Sequence, residues 1–380
     1  MSRNWSKLHH DVVFGKANGK IIWQPRIGCW YDDRQFTKTP LPEPYTGLSI
    51  HDLYRKVDCS ARLYEYNACF ERIEDHRVNF KSHREDDILQ FVWQTPVGTT
   101  SEIFKYSPNN LHPQRVKWEV ENMDDLKVAI WREEHADWKW NQAVYDKLQE
   151  EIGDLGAAVM FMPRMNVMSL FLEKMGIEKG VMAIYEHTDL VEKYFKSLEI
   201  CHEPLLDVIN NYPIDIINFG ENIHCQLLSP PLFLKYHLPA CQRRCEKLHR
   251  KNKFVFAHWD GNCKQILPYA KETGMDGIEA ITPLPQGDVT LEEVKEALGD
   301  DMFLWDGIPA LYFDPMYSLE TLQNCTKKVI ELFAPKLILG ASDEIASTAD
   351  INRVLVVGRI VDEYNDKIDS LLKLNSSFSD

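Results

Sequence analysis

The sequence predicts an α/β protein built as a (β/α)8 TIM-type barrel with an elaborated N-terminal region. Three observations carry this reading. From about residue 120 onward, short apolar strands alternate with amphipathic helices to the end of the chain, the pattern of a parallel sheet covered by helices. About eight such units fit in roughly 350 residues, against a barrel core of ~250 residues plus insertions. A doubly wound open sheet, the alternative, wants a glycine-rich first turn, and the chain has neither GxGxxG nor a Walker A motif. Residues 1–120 form the elaboration and hold the first barrel strand, residues 121–370 form the main part of the barrel, and the whole is one structural domain.

The opening stretch is polar, with His9 and His10 read as tail. "KIIWQPRIGCWYDD" is a strand that ends in polar groups, and "ILQFVWQTPVGTTSEIFKYS" is two strands around a turn. "DDLKVAIWREE" is a helix end or a short strand. "NQAVYDKLQEEIGDLG" is a helix stopped at glycine, "AAVMFMPRMN" a strand, and "DLVEKYFKSLEICHEPLLDVINNYP" a long helix ended by proline. "IDIINFGENIH" is a strand, followed by a helix with Ser229 as N-cap and prolines in its first turn. "KFVFAHWDGN" is a strand, "CKQILPYAKETG" a helix and "DGIEAIT" a strand. "TLEEVKEALGDD" opens with Thr290 and a glutamate at N3, a capping box. "MFLWDGI" is a strand, "SLETLQNCTKKVIELFAP" a helix, "KLILGASDE" the last strand and "DINRVLVVGRIVDEYN" the closing helix. The polar tail "KLNSSFSD" is expected to fray.

The net charge of -15 argues against nucleic acid or an anionic membrane as partner. No apolar run reaches transmembrane length and no signal peptide is read at the N-terminus. The nine cysteines include no CxxC pair and are read as reduced thiols, which points to the cytoplasm.

The strands share a feature: their C-terminal ends are polar. Arg26 follows "IIWQP", Arg164 follows "VMFMP", and Glu221, Asn222 and His224 close "IINFG". His258, Asp260 and Asn262 follow "FVFA", Glu279 sits in "GIEAIT", Asp306 follows "FLW", and Asp343 and Glu344 follow "LILGAS". In a β/α barrel these ends meet on one face, where catalytic groups gather. Carboxylates and an imidazole converging there suit a divalent metal. His258 and Asp260 lie two apart on one strand and face the same side, so with Glu221 they are the expected ligands. The bland alternative is a strand end bonded to loop backbone. Asp306, Glu279 and Asp343 are the candidates for acid–base work or for holding loops. Arg26 and Arg164 either clamp a substrate carboxylate or neutralise the acidic rim. Asn222, Trp23, Tyr31 and Trp259 are expected to line a substrate, the aromatics as walls for a flat ring.

The segment from about Ile214 to Tyr364 resembles the uroporphyrinogen decarboxylase superfamily, which also contains zinc-dependent methyltransferases serving corrinoid proteins. The motifs are "GENIHCQLLSPPLF", "HWDGN", "TGMDGIEAI", "WDGIPA" and "LILGASDE". The resemblance implies a (β/α)8 barrel with its site at the strand C-termini. The decarboxylases hold a tetrapyrrole through an N-terminal "RQAGRY"-like loop, of which "QPRIGCWYDD" keeps one arginine. The methyltransferases bind zinc through a histidine and two cysteines. Here Asp260 replaces the first cysteine, and the last strand offers Asp343 but no thiol. The chain therefore stands closer to the methyltransferase-like branch than to the decarboxylases. The reading is a metal-dependent methyltransferase or demethylase, with zinc as the metal. Its substrate is a small, methoxylated aromatic compound, its acceptor a corrinoid protein, and a homodimer its assembly. The alternatives are a metal-free decarboxylase of a small carboxylated ring and a ligand-binding barrel without catalysis.

Overall fold

A computed structural model describes residues 3–377. Its strands are β1 (Ile22–Trp23), β2 (Phe70–Ile73), β3 (Asn79–Glu85), β4 (Ile88–Thr95), β5 (Gly98–Ser107), β6 (Asn110–Lys117), β7 (Asp137–Trp140), β8 (Val159–Met162), β9 (Ile216–Ile223), β10 (Phe254–Trp259), β11 (Gly277–Glu279), β12 (Phe303–Pro309) and β13 (Leu337–Ser342). One parallel seven-stranded sheet runs β1-β13-β12-β11-β10-β9-β8. The expected eight-stranded closed barrel is thus corrected to a curled seven-stranded sheet. No ladder joins β1 to β8. An irregular segment spans that gap. Ser60 donates its N–H to Trp23 O (2.9 Å) and Ala61 donates to Leu155 O (2.8 Å). The Asn67 amide then pairs with both backbone groups of Phe161, at 2.8 and 3.3 Å. "CSARLYEYNACF" breaks apolar alternation and turns into a 3-10 helix at Glu65–Cys69, so it satisfies its neighbours without becoming a strand.

Period two sorts the sheet into two faces. Ile22, Val159, Ile216, Phe254, Phe256, Phe303, Trp305 and Ile338 gather inside the curl. Their neighbours along each strand, among them Ile217, Val255, Leu304 and Leu339, pack outward under the helices. The helix Trp5–Val13 plugs the bottom with Trp5, Val12 and Val13. His9 on this helix is fully buried, 4.9 Å from the Trp305 ring, and burial pushes its imidazole down to about 3. The expected tail is therefore part of the core.

The N-terminal elaboration holds an antiparallel sheet of four strands, β3-β4-β5-β6, where two were expected. The "DDLKVAIWREE" stretch is a helix, Met123–Glu134. Its Arg132 lies over the Trp93 ring at 4.3 Å and pairs with Glu119, which also holds Lys174. "CKQILPYAKETG" forms only two 3-10 turns, Leu267–Tyr269 and Lys271–Thr273, because Pro268 removes a helical donor. The Thr290 capping box is present. The closing helix runs from Asn352 to Ser377, so the expected fray does not begin at Lys373, and residues 378–380 lie outside the described residues.

Candidate functional site

The inward positions of the strands become polar at their C-terminal ends. On β9 the inward residues are Asn218, Gly220 and Asn222; on β10, His258; on β11, Glu279. Glu279 is fully buried and is the centre of the site. It accepts from Arg26 Nη1 at 2.9 Å, from the Asn218 amide and from the Arg62 guanidinium, and its Oε1 lies 3.5 Å from His258 Nδ1. Arg26 Nη1 also lies 3.2 Å from Asp306 Oδ2 and 2.7 Å from Asp343 Oδ1, while its Nε and Nη2 donate to Glu344 Oε1 at 3.0 and 2.8 Å.

This arrangement drives two buried carboxyls apart. Burial would raise both. At Glu279 the adjoining Arg62 and Arg26 overcome burial and hold the group far below the carboxylate range. At Asp306 burial, reinforced by Glu279 and Asp343, outweighs the arginines and pushes the group well above it. These shifts favour the carboxylate form of Glu279 and the acid form of Asp306. Environments that separate two carboxyls in this way define acid and base roles. Asp306 sits at φ +83°, a conformation that costs a side-chain-bearing residue ~1–3 kcal/mol. It lies over Gly340, where an added Cβ would meet Asp306 Oδ1 at 2.2 Å and Gln24 O at 2.7 Å.

Ligand atoms of His258, Asp260 and Asp343 all lie within 4.8 Å of one another. His258 turns Nδ1 toward Glu279 and Nε2 toward Asp343 Oδ1, 3.8 Å away. Asp260 Oδ1 is buried without a hydrogen-bond partner. One imidazole and two carboxylates, one of them with an orphaned oxygen, fit a divalent cation such as zinc.

Above these groups the mouth holds two cavities of about 440 Å³ each, with Arg26, Arg62, Tyr64 and Glu344 shared between them. One is lined by Phe161, Arg164, Asn218, Asn222, His258 and Asp343. The other is lined by Asp32, Ile50, His51, Tyr54 and Glu65. Tyr64 and Phe161 have ring centroids 4.6 Å apart, and the Arg62 guanidinium lies over both.

Most of the expected site residues therefore meet: Arg26, Arg164, Asn222, His258, Asp260, Glu279, Asp306 and Asp343. Four do not. Glu221 is on the outward face of β9, fully buried, where its carboxylate oxygens accept from Met165 N at 3.1 and 3.3 Å. Burial, against Arg244 and Arg164, pushes it up to about 8. Asp343, also a candidate at this rim, is the residue that joins His258 and Asp260 in the group that could hold a metal ion. Trp23 and Trp259 are outward by the same parity, packed on Phe313 and Phe233. Tyr31 spends its hydroxyl on Leu48 O at 3.2 Å. Arg26 lines both cavities, and every nitrogen of its guanidinium faces an acidic side chain of the protein, the rim-neutralising arrangement of the two that were expected. Arg62, Tyr64, Phe161 and Asn218 were not anticipated. Asn218 had a signal, a lone amide in an apolar strand. Arg62 had none, because its segment is not a strand.

An α/β sheet with acids, arginines and an imidazole gathered at its strand C-termini defines the class: a TIM-barrel-like scaffold, open between β1 and β8. Residues 157–306 match the family model described as uroporphyrinogen decarboxylase (URO-D). The resemblance read from the motifs of residues 214–364 is borne out where the two overlap, over residues 214–306. A solved methyltransferase from Methanosarcina mazei is similar in fold, with a TM-score of 0.56 at 15% identity, over 96% of this chain and 99% of that one. A type I 3-dehydroquinate dehydratase from Clostridium difficile aligns at TM-score 0.32 and 13% identity over 59% of this chain and 74% of that one. A B12-independent methionine synthase from Shewanella sp. W3-18-1 aligns at 0.33 and 11% over 80% and 79%. No curated protein matches the chain. No helix among the described residues is long and apolar enough to cross a membrane.

Proposed function

We propose that this protein is a metal-dependent methyltransferase whose zinc is held by His258, Asp260 and Asp343. One observation carries the reading: Glu279 faces His258 Nδ1 while Nε2 turns to Asp343. A carboxylate behind a ligating histidine fixes its tautomer and raises its basicity. A divalent ion held there would supply Lewis acidity to a methyl-bearing oxygen. Tyr64 and Phe161, in place of the expected tryptophans, stack the flat ring of a methoxylated aromatic substrate. Arg26 and Arg62 keep Glu279 ionised, so that it orients His258 and does not take up a proton. A corrinoid carried by a partner protein would be the methyl acceptor, and the oxygen left behind would take up a proton. The similarity to a methyltransferase fold supports this reading.

A second reading is metal-free decarboxylation, and Asp306 favours it. It is a buried carboxyl held in the acid form, as delivery of a proton to carbon requires. Against it stand the arginines. Arg26 is spent on the carboxylates of Glu279, Asp343 and Glu344 and on Asp306, and Arg164 donates to Glu173 (3.2 Å) and to Asn222, which leaves little of their charge for a substrate carboxylate.

Elemental analysis of protein purified without chelator tests the choice. Wild type is expected to carry about one zinc per chain, His258→Ala none, and Glu221→Gln the wild-type amount. A metal-free wild type overturns the methyltransferase reading. Demethylation of methoxylated aromatics that depends on added corrinoid acceptor is the activity to assay next.

A further inference from the structure

The strand register lays one inward layer across the sheet. Phe161 on β8, Asn218 on β9, Phe256 on β10, Gly277 on β11 and Phe303 on β12 are level with one another. The phenylalanines and the glycine suit an apolar interior, and Asn218 does not. It is fully buried. The orientation of its amide follows from its partner. Glu279 accepts from Nδ2 and, kept ionised by Arg26 and Arg62, offers no proton in return. Oδ1 is then the atom left over. It is buried and has no hydrogen-bond partner among the described residues, which costs free energy unless a bound group donates to it.

The other amides of this wall are spent. Asn67 gives both ends of its amide to the Phe161 backbone, and Asn222 Oδ1 accepts from Arg164. Asn218 lines the cavity of about 440 Å³ together with Phe161, Gly220 and His258. Gly220 is the next inward position on β9, and a Cβ there would meet only Met162 O, at 3.6 Å. The missing side chain leaves room on the cavity side of Asn218.

We infer that Asn218 selects the substrate's substitution pattern: its Oδ1 accepts a hydrogen bond from a hydroxyl or N–H group on the ring that carries the methoxy group. The inference rests on the reading that a flat ring stacks on Phe161. Phe161 and Asn218 are register partners, so a ring lying on the first turns an edge toward the second. Asn218 and His258 both face Glu279, one at Oε2 and the other at Oε1. The ring's donor and its methoxy oxygen are thus read by two neighbours of one fixed carboxylate. A ring of the same size without the donor buries Oδ1 unpaired and is rejected, as polar pockets reject analogues that lack the matching group.

Calorimetric titration of the full chain, with zinc added, tests this on the ortho, meta and para methoxyphenols and the matching methoxytoluenes. Each pair differs by a hydroxyl against a methyl of similar size. At least one methoxyphenol is expected to bind roughly 10–100-fold more tightly than its methoxytoluene. Asn218→Leu should bring that ratio close to one by weakening the methoxyphenol alone. Gly220→Ala, which the protein has room for, should weaken both members of the pair. If Asn218→Leu folds poorly, the wild-type ratio still decides. Equal affinities within every pair, a ratio that survives Asn218→Leu, or binding untouched by Gly220→Ala overturns the inference and leaves the aromatic reading standing. Binding of none of these rings overturns that reading, and the inference falls with it.

Discussion

Glu279 and Asp306 lie against the same arginine and hold opposite charge states, so they should respond differently to amidation. Glu279→Gln leaves Arg26 and Arg62 buried with less compensation, and removing one member of a buried ion cluster costs ~3–5 kcal/mol. Asp306→Asn replaces a neutral acid by a neutral amide and should change stability by less than ~1 kcal/mol. Urea denaturation of the two variants checks the pair; equal losses would mean that both groups are ionised. Glu221 gives a pH-dependent case. Its folded value is about 8, above the unfolded carboxylate, so at neutral pH the native state holds a proton that the unfolded state has lost. Its contribution to stability is complete below the unfolded value and declines as pH rises toward 8. At ~1.4 kcal/mol per unit the loss is on the order of 3 kcal/mol at pH 7. Glu221→Gln removes this decline. The variant should melt close to wild type at pH 4.5 and several degrees higher at pH 8.

At the scale of elements, the bottom plug shows how a short helix becomes structural. The helix Trp5–Val13 has nine residues, too few to be stable alone in water, and it is held by burial against the interior of the sheet. Trp5 is 4% exposed and its indole donates to Asp58 Oδ1 at 3.0 Å. Trp5→Ala should cost ~3–5 kcal/mol and free His9 to protonate. Chemical denaturation measures the first effect, and titration of the His9 imidazole by NMR measures the second.

At the scale of the molecule, the gap in the sheet is bridged by the backbone of Ser60 and Ala61 and by one side chain. Where β1 and β8 fail to pair, the Asn67 amide supplies a donor and an acceptor to Phe161. Asn67→Leu leaves two backbone groups unpaired at ~1–3 kcal/mol for each that stays dry. It should also raise hydrogen exchange at Phe161 and loosen Arg62 and Tyr64, which sit in the same segment above the cleft. Unchanged exchange at Phe161 would show that the gap is held elsewhere.

The sequence by itself determined the parallel α/β architecture, because strand and helix periods alternate regularly after residue 120. It also determined which strand ends are polar, and so placed His258, Asp260, Glu279, Asp306 and Asp343 at one rim. Parity in β9 and β10 was legible as well: counting in twos from Asn218 puts Glu221 outward, and counting from His258 puts Trp259 outward. Tertiary structure alone decided the rest. Asp343 joins the cluster because β13 lies between β1 and β12. Arg62 enters because an irregular segment takes the place of a strand. His9 is core because the chain's first helix finds an apolar interior that only the curled sheet creates. Local pattern records which face a residue prefers, but contacts between distant segments set which charge it meets, and in a buried site that partner fixes the chemistry.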